Sequence, residues 1–362
     1  MKILFVHTIG KRKFGGGERW VVNAASGLQR MGHDVTVISK KDSVLLEKVA
    51  GQGGAVHPVN IFSDVSLYHA VKLSRFMRRH QFDIIISKRW DLAVTGLAAK
   101  LAGGLPVVVR TGVPPQKSLK KHVLLIKKLA VGLITNTTTI RDVYTSLAGF
   151  PDDFIKVIYN GVSFEDKAPA FDFQKLFPGK KVVLCAGRLD AFQKGYFVLI
   201  EALSIVKKHH PDVMVYVLGT GRDRDKLLEY ARSKGVNDSI VFAGYTDTPS
   251  VYMKACDVFL HTALFEGMPN AVMEAMAYAR PVVMTDVNGA AELSDHGKYA
   301  VLIPPSDPEK TAVALSEVLS SPGRYRQMAL DAKDFVRKQF SMDAMLEQLE
   351  YLLEEKIHRH KK

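Results

Sequence analysis

KVVLCAGRLDAFQKGYFVLIEALSIVKKHHPDVMVYVLGTG, residues 181–221, decides the fold. Val182–Ala186 and Val213–Leu218 are short apolar runs rich in β-branched residues. Each runs into a glycine-marked loop, Gly187-Arg188-Leu189 after the first and Gly219-Thr220-Gly221 after the second. A short run that is apolar throughout reads as a strand buried on both faces. Strands that alternate with helical stretches give a parallel sheet with helices packed on both sides.

The same alternation extends in both directions. Ile240–Ala243, Val258–His261, Pro281–Thr285 and Ala300–Ile303 read as further strands of the second half. In the first half the strands are Ile3–His7, Asp34–Ser39, Asp83–Ser87, Pro106–Arg110 and Gly132–Asn136, with helices at Gly17–Met31, Leu67–His80 and Ala93–Ala102. Between the halves, Asn160-Gly161 leads into SFEDKAPAFDFQKLFPGKK, rich in turn residues and without periodicity. The expected architecture is α/β: two doubly wound, Rossmann-like domains facing a central cleft, residues 1–162 and 163–339. Ser341–Lys356 reads as a long amphipathic helix, and the segment 340–362 is expected to pack back onto the first domain. Open sheets of this kind bind ligands beyond the carboxyl ends of their strands.

Composition narrows the class. The chain has 362 residues, 47% apolar and 24% charged, an ordinary globular balance. No apolar stretch approaches the roughly 18 residues needed to span a bilayer, and Met1–His7 is too short for a signal-peptide core. Cys185 and Cys256 lie far apart in apolar segments, so they read as buried thiols of a reducing, cytoplasmic compartment. The net charge of +13 is uneven. Residues 1–162 carry 24 Lys/Arg against 10 Asp/Glu, and residues 163–362 carry 26 against 27. The first half is therefore expected to meet an anionic partner: nucleic acid, an anionic membrane or a phosphorylated glycolipid.

HTALFEGMPNAVMEAMAYARP, residues 261–281, carries the chemistry. Glu266 precedes a helix expected to start near Asn270, and Glu274 lies about one turn inside it. A helix start favours anions such as phosphate. Two carboxylates beside such a site are explained if they bind hydroxyls, and a nucleotide sugar offers hydroxyls and phosphates together. The plainer alternative is a solvated helix start with acids complementing the dipole. Arg188 and Lys194 share one loop after a strand and could clamp a diphosphate, one as a fork and one as a point charge. Gly15-Gly16-Gly17-Glu18 follows the first strand and opens a helix, a weaker phosphate signal that a surface loop would equally explain. Neither half has the G-x-G-x-x-G fingerprint, which argues against a nicotinamide enzyme. Asp223-Arg224-Asp225 has the spacing of a D-x-D metal motif but reads better as a helix N-cap and first-turn acid. His209-His210 beside Pro211 reads as a helix C-terminus, and no Cys/His cluster has ligand spacing. No metal and no cofactor are expected.

In order and type, Gly16-Gly17-Glu18, Gly187-Arg188-Leu189 with Lys194-Gly195, Gly219-Thr220-Gly221 and Glu266-Gly267-Met268-Pro269-Asn270-Ala271-Val272-Met273-Glu274 resemble retaining nucleotide-sugar glycosyltransferases of the GT-B fold, glycosyltransferase family 4. Asn160-Gly161-Val162 looks like that family's hinge, and Asn288-Gly289 with Glu292 like its last donor-site loop. The resemblance spans nearly the whole chain and is most specific over residues 180–295. It implies that Arg188 and Lys194 neutralise the donor diphosphate. Glu266 would bind hydroxyls of the transferred sugar, helped by the backbone N–H groups of Gly267, Met268 and Asn270. Glu274 would hold the ribose and the backbone around Tyr245 the base. Gly187, Gly219 and Gly221 would seat the nucleotide, while Gly16 and Gly17 line the phosphate and acceptor side near Glu18. The chain departs from the pattern where many relatives carry a strand-end His: Pro106–Arg110 continues into Thr111-Gly112, leaving Arg110 as the candidate anion ligand. His7 also ends a strand, but a satisfied structural histidine explains it better.

KSLKKHVLLIKK, residues 117–128, is the basic centre of the first half. At about 100° per residue, Lys117, Lys120, Lys121, Lys127 and Lys128 share one arc, with Leu124 in its middle. Leu119, Val123, Ile126 and Ala130 share a separate, core-suited face. An exposed Leu among lysines suits a helix lying on anionic headgroups, and an ordinary charged face is the alternative. No RNA or DNA module is present. The expected activity is transfer of a sugar from a nucleotide-sugar donor to a glycolipid or lipid-linked glycan, at the cytoplasmic face of a membrane. A soluble acceptor, a nucleotide-sugar epimerase of the same fold, or a non-catalytic nucleotide-sugar or nucleic-acid binding protein remain the rival readings.

Overall fold

The computed structural model describes residues 1–8, 14–59, 66–113, 120–164 and 167–361; the side chains of Lys120, Lys121 and Leu147 stand outside that description. The chain forms two compact units, Met1–Gly161 with Met342–Lys362, and Val162–Ser341.

The first unit contains β1 (Lys2–Val6), α1 (Gly16–Arg30), β2 (Asp34–Lys40), α2 (Val44–Gly51), β3 (Ala55–Val59), α3 (Leu67–His80), β4 (Ile84–Lys88), α4 (Leu92–Leu101), β5 (Val107–Thr111), α5 (Lys120–Leu129), β6 (Gly132–Thr135), α6 (Thr138–Ala148) and β7 (Ile155–Val157). Its sheet runs β3-β2-β1-β4-β5-β6-β7 with every pair parallel. The central strands are apolar on both faces because both faces are covered. Ile3, Phe5, Val108 and Ile134 pack with α1, α2 and the C-terminal helix, whereas Leu4, Val6, Val107, Val109 and Leu133 pack with α3, α4, α5 and α6.

Unit 2 contains α7 (Phe173–Leu176), β8 (Lys181–Ala186), α8 (Tyr196–Val206), β9 (Val213–Leu218), α9 (Arg224–Ser233), β10 (Ile240–Gly244), α10 (Pro249–Met253), β11 (Val258–His261), α11 (Asn270–Ala277), β12 (Val282–Thr285), α12 (Ala290–Ser294), β13 (Val301–Ile303), α13 (Pro308–Ser320) and α14 (Pro322–Gln339). Its parallel sheet runs β10-β9-β8-β11-β12-β13. The quoted stretch is its centre, with Lys181 opposite Val213 and Cys185 opposite Val217. Cys185 and Cys256 are buried free thiols, and burial pushes both thiol pKa values up, that of Cys256 to about 12. The two-sheet Rossmann-like α/β architecture is the expected one.

Two edge strands escaped the periodicity. β3, AVHPV, contains a proline and a histidine, and proline is tolerated where one side of the ladder has no partner. β7 has only three residues and forms the opposite edge.

The last helix, α15 (Met342–Lys361), returns to unit 1. Met345, Leu346, Leu349, Leu352 and Leu353 are buried with α1 and the sheet. Gly27 of α1 permits the approach, since a Cβ there would lie 2.4 Å from Leu346 Cδ1. His33 Nε2 and Glu350 Oε1 are 2.7 Å apart beside this contact.

Leu349 is fully buried in that interface and Tyr351 is largely exposed. Leu349→Ala should destabilise unit 1 by about 2–5 kcal/mol, and Tyr351→Ala by less than about 0.5 kcal/mol. Both tryptophans, Trp20 and Trp90, belong to unit 1, so fluorescence-monitored urea unfolding reads this unit. Equal midpoints for the two variants would contradict the docking of α15.

Candidate active site

In unit 2, β8 is flanked by β9 on one side and β11 on the other, so the strand order reverses there. The loops leaving β8 and β11 diverge around this point, where open sheets leave room for a ligand. Here they are laced together by backbone. Leu264 N donates to Gln193 O at 2.9 Å, and Thr262 Oγ1 donates to Lys194 O at 3.0 Å. Gly195 sits at φ +64°, and a Cβ there would stand 1.9 Å from Thr262 O, so only glycine fits. This closure sets the Lys194 ammonium against Glu266 Oε2 in a close hydrogen-bonded ion pair. Both side chains are mostly buried, with 17% and 19% exposure. Arg188 is exposed on the same loop and donates to Gln193 Oε1 at 2.7 Å. Three of the residues expected from sequence are thus brought to one place.

A third loop, after β9, joins them. A Cβ on Gly219 would lie 1.9 Å from Gly187 O, and one on Gly221 would lie 2.2 Å from Leu189 O. Leu189 N donates to Thr220 O at 2.9 Å. Asp223 occupies the N-cap position of α9, but its carboxylate makes no cap bond. It accepts from Ala191 N at 2.8 Å instead, so its task is to tie the β9 loop to the β8 loop. Tyr245 follows β10, exposed, with its hydroxyl donating to Asp247 Oδ1 at 2.8 Å.

Glu266 lies in the loop before α11, and the helix opens at Asn270 after Pro269, as expected. Asn288 Nδ2 donates to Glu266 O at 2.5 Å and Gly289 N to Gly267 O at 3.2 Å, which fixes the bend between Glu266 and the helix. Asn270 and Glu274 are four residues apart on one helical face, both half-buried, while Val272, Met273 and Met276 face the core. The Met268 side chain is buried, leaving its backbone as the part that can meet a ligand.

The sequence reading gave no role to His261 at the end of β11. Its ring is buried, with Nδ1 lacking a hydrogen-bond partner among the described residues. Burial, reinforced by the charge of Lys194, pushes its pKa down to about 3. A neutral ring therefore ends β11 within reach of the Lys194 charge. Phe192 and Phe265, both exposed, place their rings 5.9 Å apart on the two loops that carry the pair. Neither feature has a sequence signal beyond its position after a strand.

In unit 1, Gly15 is the N-cap of α1, with Gly16 and Gly17 in its first turn. Glu18 is buried: Oε1 meets His7 Nε2 at 2.8 Å and Oε2 accepts from Gly15 N at 2.9 Å. Burial opposes its ionisation, yet the His7 hydrogen bond together with neighbouring positive charge, Lys88 included, holds the carboxyl below its ordinary range. Burial keeps His7 below its usual pKa and neutral. His7 is thus the satisfied structural histidine, and Glu18 shapes the glycine loop from within. Arg110 lies 4.0 Å over the Trp20 ring, and its Nη2 donates to Asn160 Oδ1 at 3.0 Å. Burial lowers the guanidinium pKa against the pull of Glu18. Of the lysine arc, Lys117 lies outside the described residues, and Lys120 and Lys121 are placed only as positions on α5. Leu124 is exposed between them and the exposed Lys127 and Lys128, while Ile126 is buried. Among the described residues, no group of three or more His, Cys, Asp or Glu is gathered to hold a metal ion.

Comparison with known proteins adds to this geometry. The description Glycosyltransferase Family 4 matches residues 14–166, and Glycosyl transferases group 1 matches residues 180–321. The chain is 26% identical to the lipopolysaccharide core biosynthesis glycosyltransferase LpsE of Rhizobium meliloti, over 98% of this chain and 100% of LpsE. It is 26% identical to the UDP-Gal:alpha-D-GlcNAc-diphosphoundecaprenol alpha-1,3-galactosyltransferase of Escherichia coli, over 71% and 72% of the two chains. The crystal structure of Anabaena HepE with UDP and glucose aligns with TM-score 0.87 at 22% identity, over 98% of this chain and 100% of that one.

The buried His261 carries a pH dependence. In the unfolded chain a histidine protonates near about 6.5, whereas the folded one resists until about 3. Between those values the unfolded state binds more protons, so stability falls as pH falls. The contribution is complete above the unfolded value and is lost toward the folded one. His261→Asn should flatten the acid limb of thermal midpoint against pH for unit 2, followed by calorimetry. An equally steep limb in the variant would refute the assignment.

Proposed function

Because this chain belongs to the GT-B glycosyltransferases, we propose that it moves a sugar, with retention of configuration and without a metal ion, from a nucleotide-sugar donor to a lipid-linked glycan. On this reading residues 163–339 hold the donor. Residues 1–162, with the helix of segment 340–362, hold the acceptor.

The observation that carries the proposal is the Lys194–Glu266 pair, set beside Arg188 and ahead of the start of α11. Cleavage of a nucleotide sugar leaves a diphosphate on which negative charge develops. Cations and helix N–H groups already in place stabilise that charge without reorganising. Lys194 has three donors and Glu266 occupies one, so two remain for phosphate oxygens. Arg188 adds a planar fork. Together they supply the positive charge that a metal ion would otherwise bring. Glu266, oriented by Lys194 and held at its carbonyl by Asn288, accepts hydrogen bonds from the hydroxyls of the sugar being moved. Glu274, a turn further on, reaches the ribose, and the backbone around Tyr245 meets the base. The acceptor hydroxyl attacks from the face that the leaving group vacates, and the departing phosphate oxygen takes its proton.

The acceptor class is supported by the relatives: LpsE is named for lipopolysaccharide core biosynthesis, and the Escherichia coli enzyme for a diphosphoundecaprenol-linked sugar. HepE was crystallised with UDP and glucose, which makes UDP-sugars the first donors to try. Among the described residues no helix is long and apolar enough to cross a membrane. The reading is accordingly of a peripheral enzyme, working on the cytoplasmic face.

Thermal stabilisation across nucleotides and nucleotide sugars identifies the donor, and release of nucleoside diphosphate with a lipid-linked acceptor measures turnover. Arg188→Ala and Lys194→Ala should each lower turnover at least tenfold, since loss of one ligand to a developing anion costs about 2.7–4 kcal/mol. Wild-type rates in both folded variants would sink the site. An inverted anomeric configuration in the product would end the retaining claim, and an epimerised free sugar would replace the transferase reading.

The two glutamates separate in a second measurement. Calorimetric titration with the free nucleoside diphosphate should show weakened binding for Glu274→Ala and little change for Glu266→Ala. Turnover should fall mainly in Glu266→Ala. The opposite pattern would exchange their roles.

A further inference from the structure

β4 ends in Ser87-Lys88 and runs into Arg89-Trp90-Asp91, one short helical turn that leads straight into α4. In the sheet of unit 1, β1 has β2 on one side and β4 on the other, so the strand order reverses between β1 and β4. Loops leaving two such strands diverge, and open sheets take ligands in the crevice this leaves. Arg89 therefore stands at the ligand-binding end of the sheet. Arginine is almost never buried unless paired, yet this one is only 4% exposed.

The surroundings of Arg89 leave most of its hydrogen-bonding capacity unused. A guanidinium has five N–H donors and stays charged. One of them, on Nη1, donates to the hydroxyl of Tyr144 on α6 at 3.1 Å. The Trp90 ring covers the group, its centroid 4.8 Å from the guanidinium carbon. Nε has no hydrogen-bond partner, and no Asp or Glu pairs with the group among the described residues. Asp91, two residues on, is turned to Thr8, whose N–H donates to Oδ2 at 2.7 Å. Two other arginines show a satisfied guanidinium in the same chain. Arg280 donates to the carbonyls of Tyr278 and Cys256. Arg110 donates to Asn160, with the Glu18 carboxylate near enough to favour its charge. A buried cation left without an anion is strongly unfavourable, so the Arg89 position calls for one. Tyr144, fully buried, accepts from Arg89 and keeps its own O–H to donate.

We propose that Arg89, with the Tyr144 hydroxyl, forms a binding site in unit 1 for a phosphate-class oxyanion, covered by Trp90. The planar fork of the arginine meets two oxygens of such an anion, and the phenol offers a donor to a third, which a carboxylate lacks. The start of α4 adds positive potential: it begins at Leu92, and Asp91 at its N-cap position makes no cap bond. Trp90 is 41% exposed, so its ring is the part of the cluster that meets solvent. It packs edge-on to His122 of α5, with ring centroids 4.6 Å apart, which holds it in place. Turning the indole away from Arg89 admits the anion. The ligand is free phosphate or the phosphate group of a larger molecule, and both present the same oxygens to Arg89. The site lies in the other unit from Arg188, Lys194 and Glu266 and does not depend on the transferase reading.

The test follows tryptophan fluorescence of the full chain, which reads unit 1 because Trp20 and Trp90 both lie there. Titration with sodium phosphate, against sodium chloride at equal ionic strength, should give a saturable change that Trp90→Phe removes. The thermal midpoint of unit 1 should rise by about 2–4 °C at several times the dissociation constant. Phosphate stabilises folded proteins generally, so the readout is the part of the shift that depends on Arg89. Arg89→Met should melt no lower than the wild type in phosphate-free buffer and should lose that part. Arg89→Lys keeps the charge without the fork and should bind phosphate at least fivefold more weakly. Lys194→Ala should retain the wild-type response, which separates this site from unit 2. Tighter binding of glycerol 3-phosphate than of inorganic phosphate assigns the ligand to a phosphate ester; equal or weaker binding assigns it to the free ion. Equal midpoint shifts in the wild type and Arg89→Met would overturn the proposal. So would a fluorescence response that Trp90→Phe retains in full, or acetate as effective as phosphate. An Arg89→Met chain that fails to fold, or melts far below the wild type without phosphate, makes the residue structural and ends the proposal as well.

Discussion

Unit 2 depends on three places where backbone touches backbone because no side chain intervenes. Gly195 against the Thr262 carbonyl, Gly219 against the Gly187 carbonyl and Gly221 against the Leu189 carbonyl leave less than the width of a methyl group. Contacts this short draw the loops after β8, β9 and β11 into one assembly above the sheet. Arg188, Lys194 and Glu266 then meet although 72 residues separate Lys194 from Glu266 in sequence. Splaying these loops by the width of one carbon would part the charges on which the proposed chemistry rests. Glycine here is a condition of geometry and costs backbone entropy in the unfolded chain.

Unit 1 uses a different device at the corresponding place. The glycine loop before α1 is held by charge: Glu18 closes back on Gly15 N while His7 holds its other oxygen. Such a buried polar pair is favourable only when both partners are satisfied, and here they are. Arg110 is anchored by the Trp20 face and by Asn160. Its guanidinium borders Gly17, with Nη1 4.0 Å from where a Cβ would stand. Arg110 is therefore built into the wall beside the glycine loop.

What was legible in the sequence follows from what each feature depends on. Strands such as β8 and β9 were legible because burial on both faces forces a run of apolar residues. β3 was not, because an edge strand can hold His57 and Pro58 without losing a needed hydrogen bond. The loop position of Glu266 and the start of α11 could be read from local proline and helix-former order. The partner of Glu266 could not, since ion pairs across strands leave no periodic trace. Asp223 shows the same limit: a cap position was correctly placed, but its carboxylate bonds across to Ala191. The basic character of unit 1 was half legible. Charge counted along the chain separated two halves, and only the assignment of α3 and α5 to one face separated two surfaces.

The return of α15 to unit 1 makes unit 2 an insertion within it. The chain leaves at Gly161 and comes back at Met342, where Val162 and Ser341 pair side by side and Val162 N donates to Phe340 O at 2.9 Å. On the ribosome this arrangement imposes an order. A nascent chain that has emerged through Ser341 holds the whole of unit 2, but α1 still presents Gly27 toward a helix not yet made. Unit 1, first to be translated, is last to be completed. The N-terminal unit must wait in a partly open state throughout the synthesis of its neighbour, and α15 is the segment whose arrival ends that exposure.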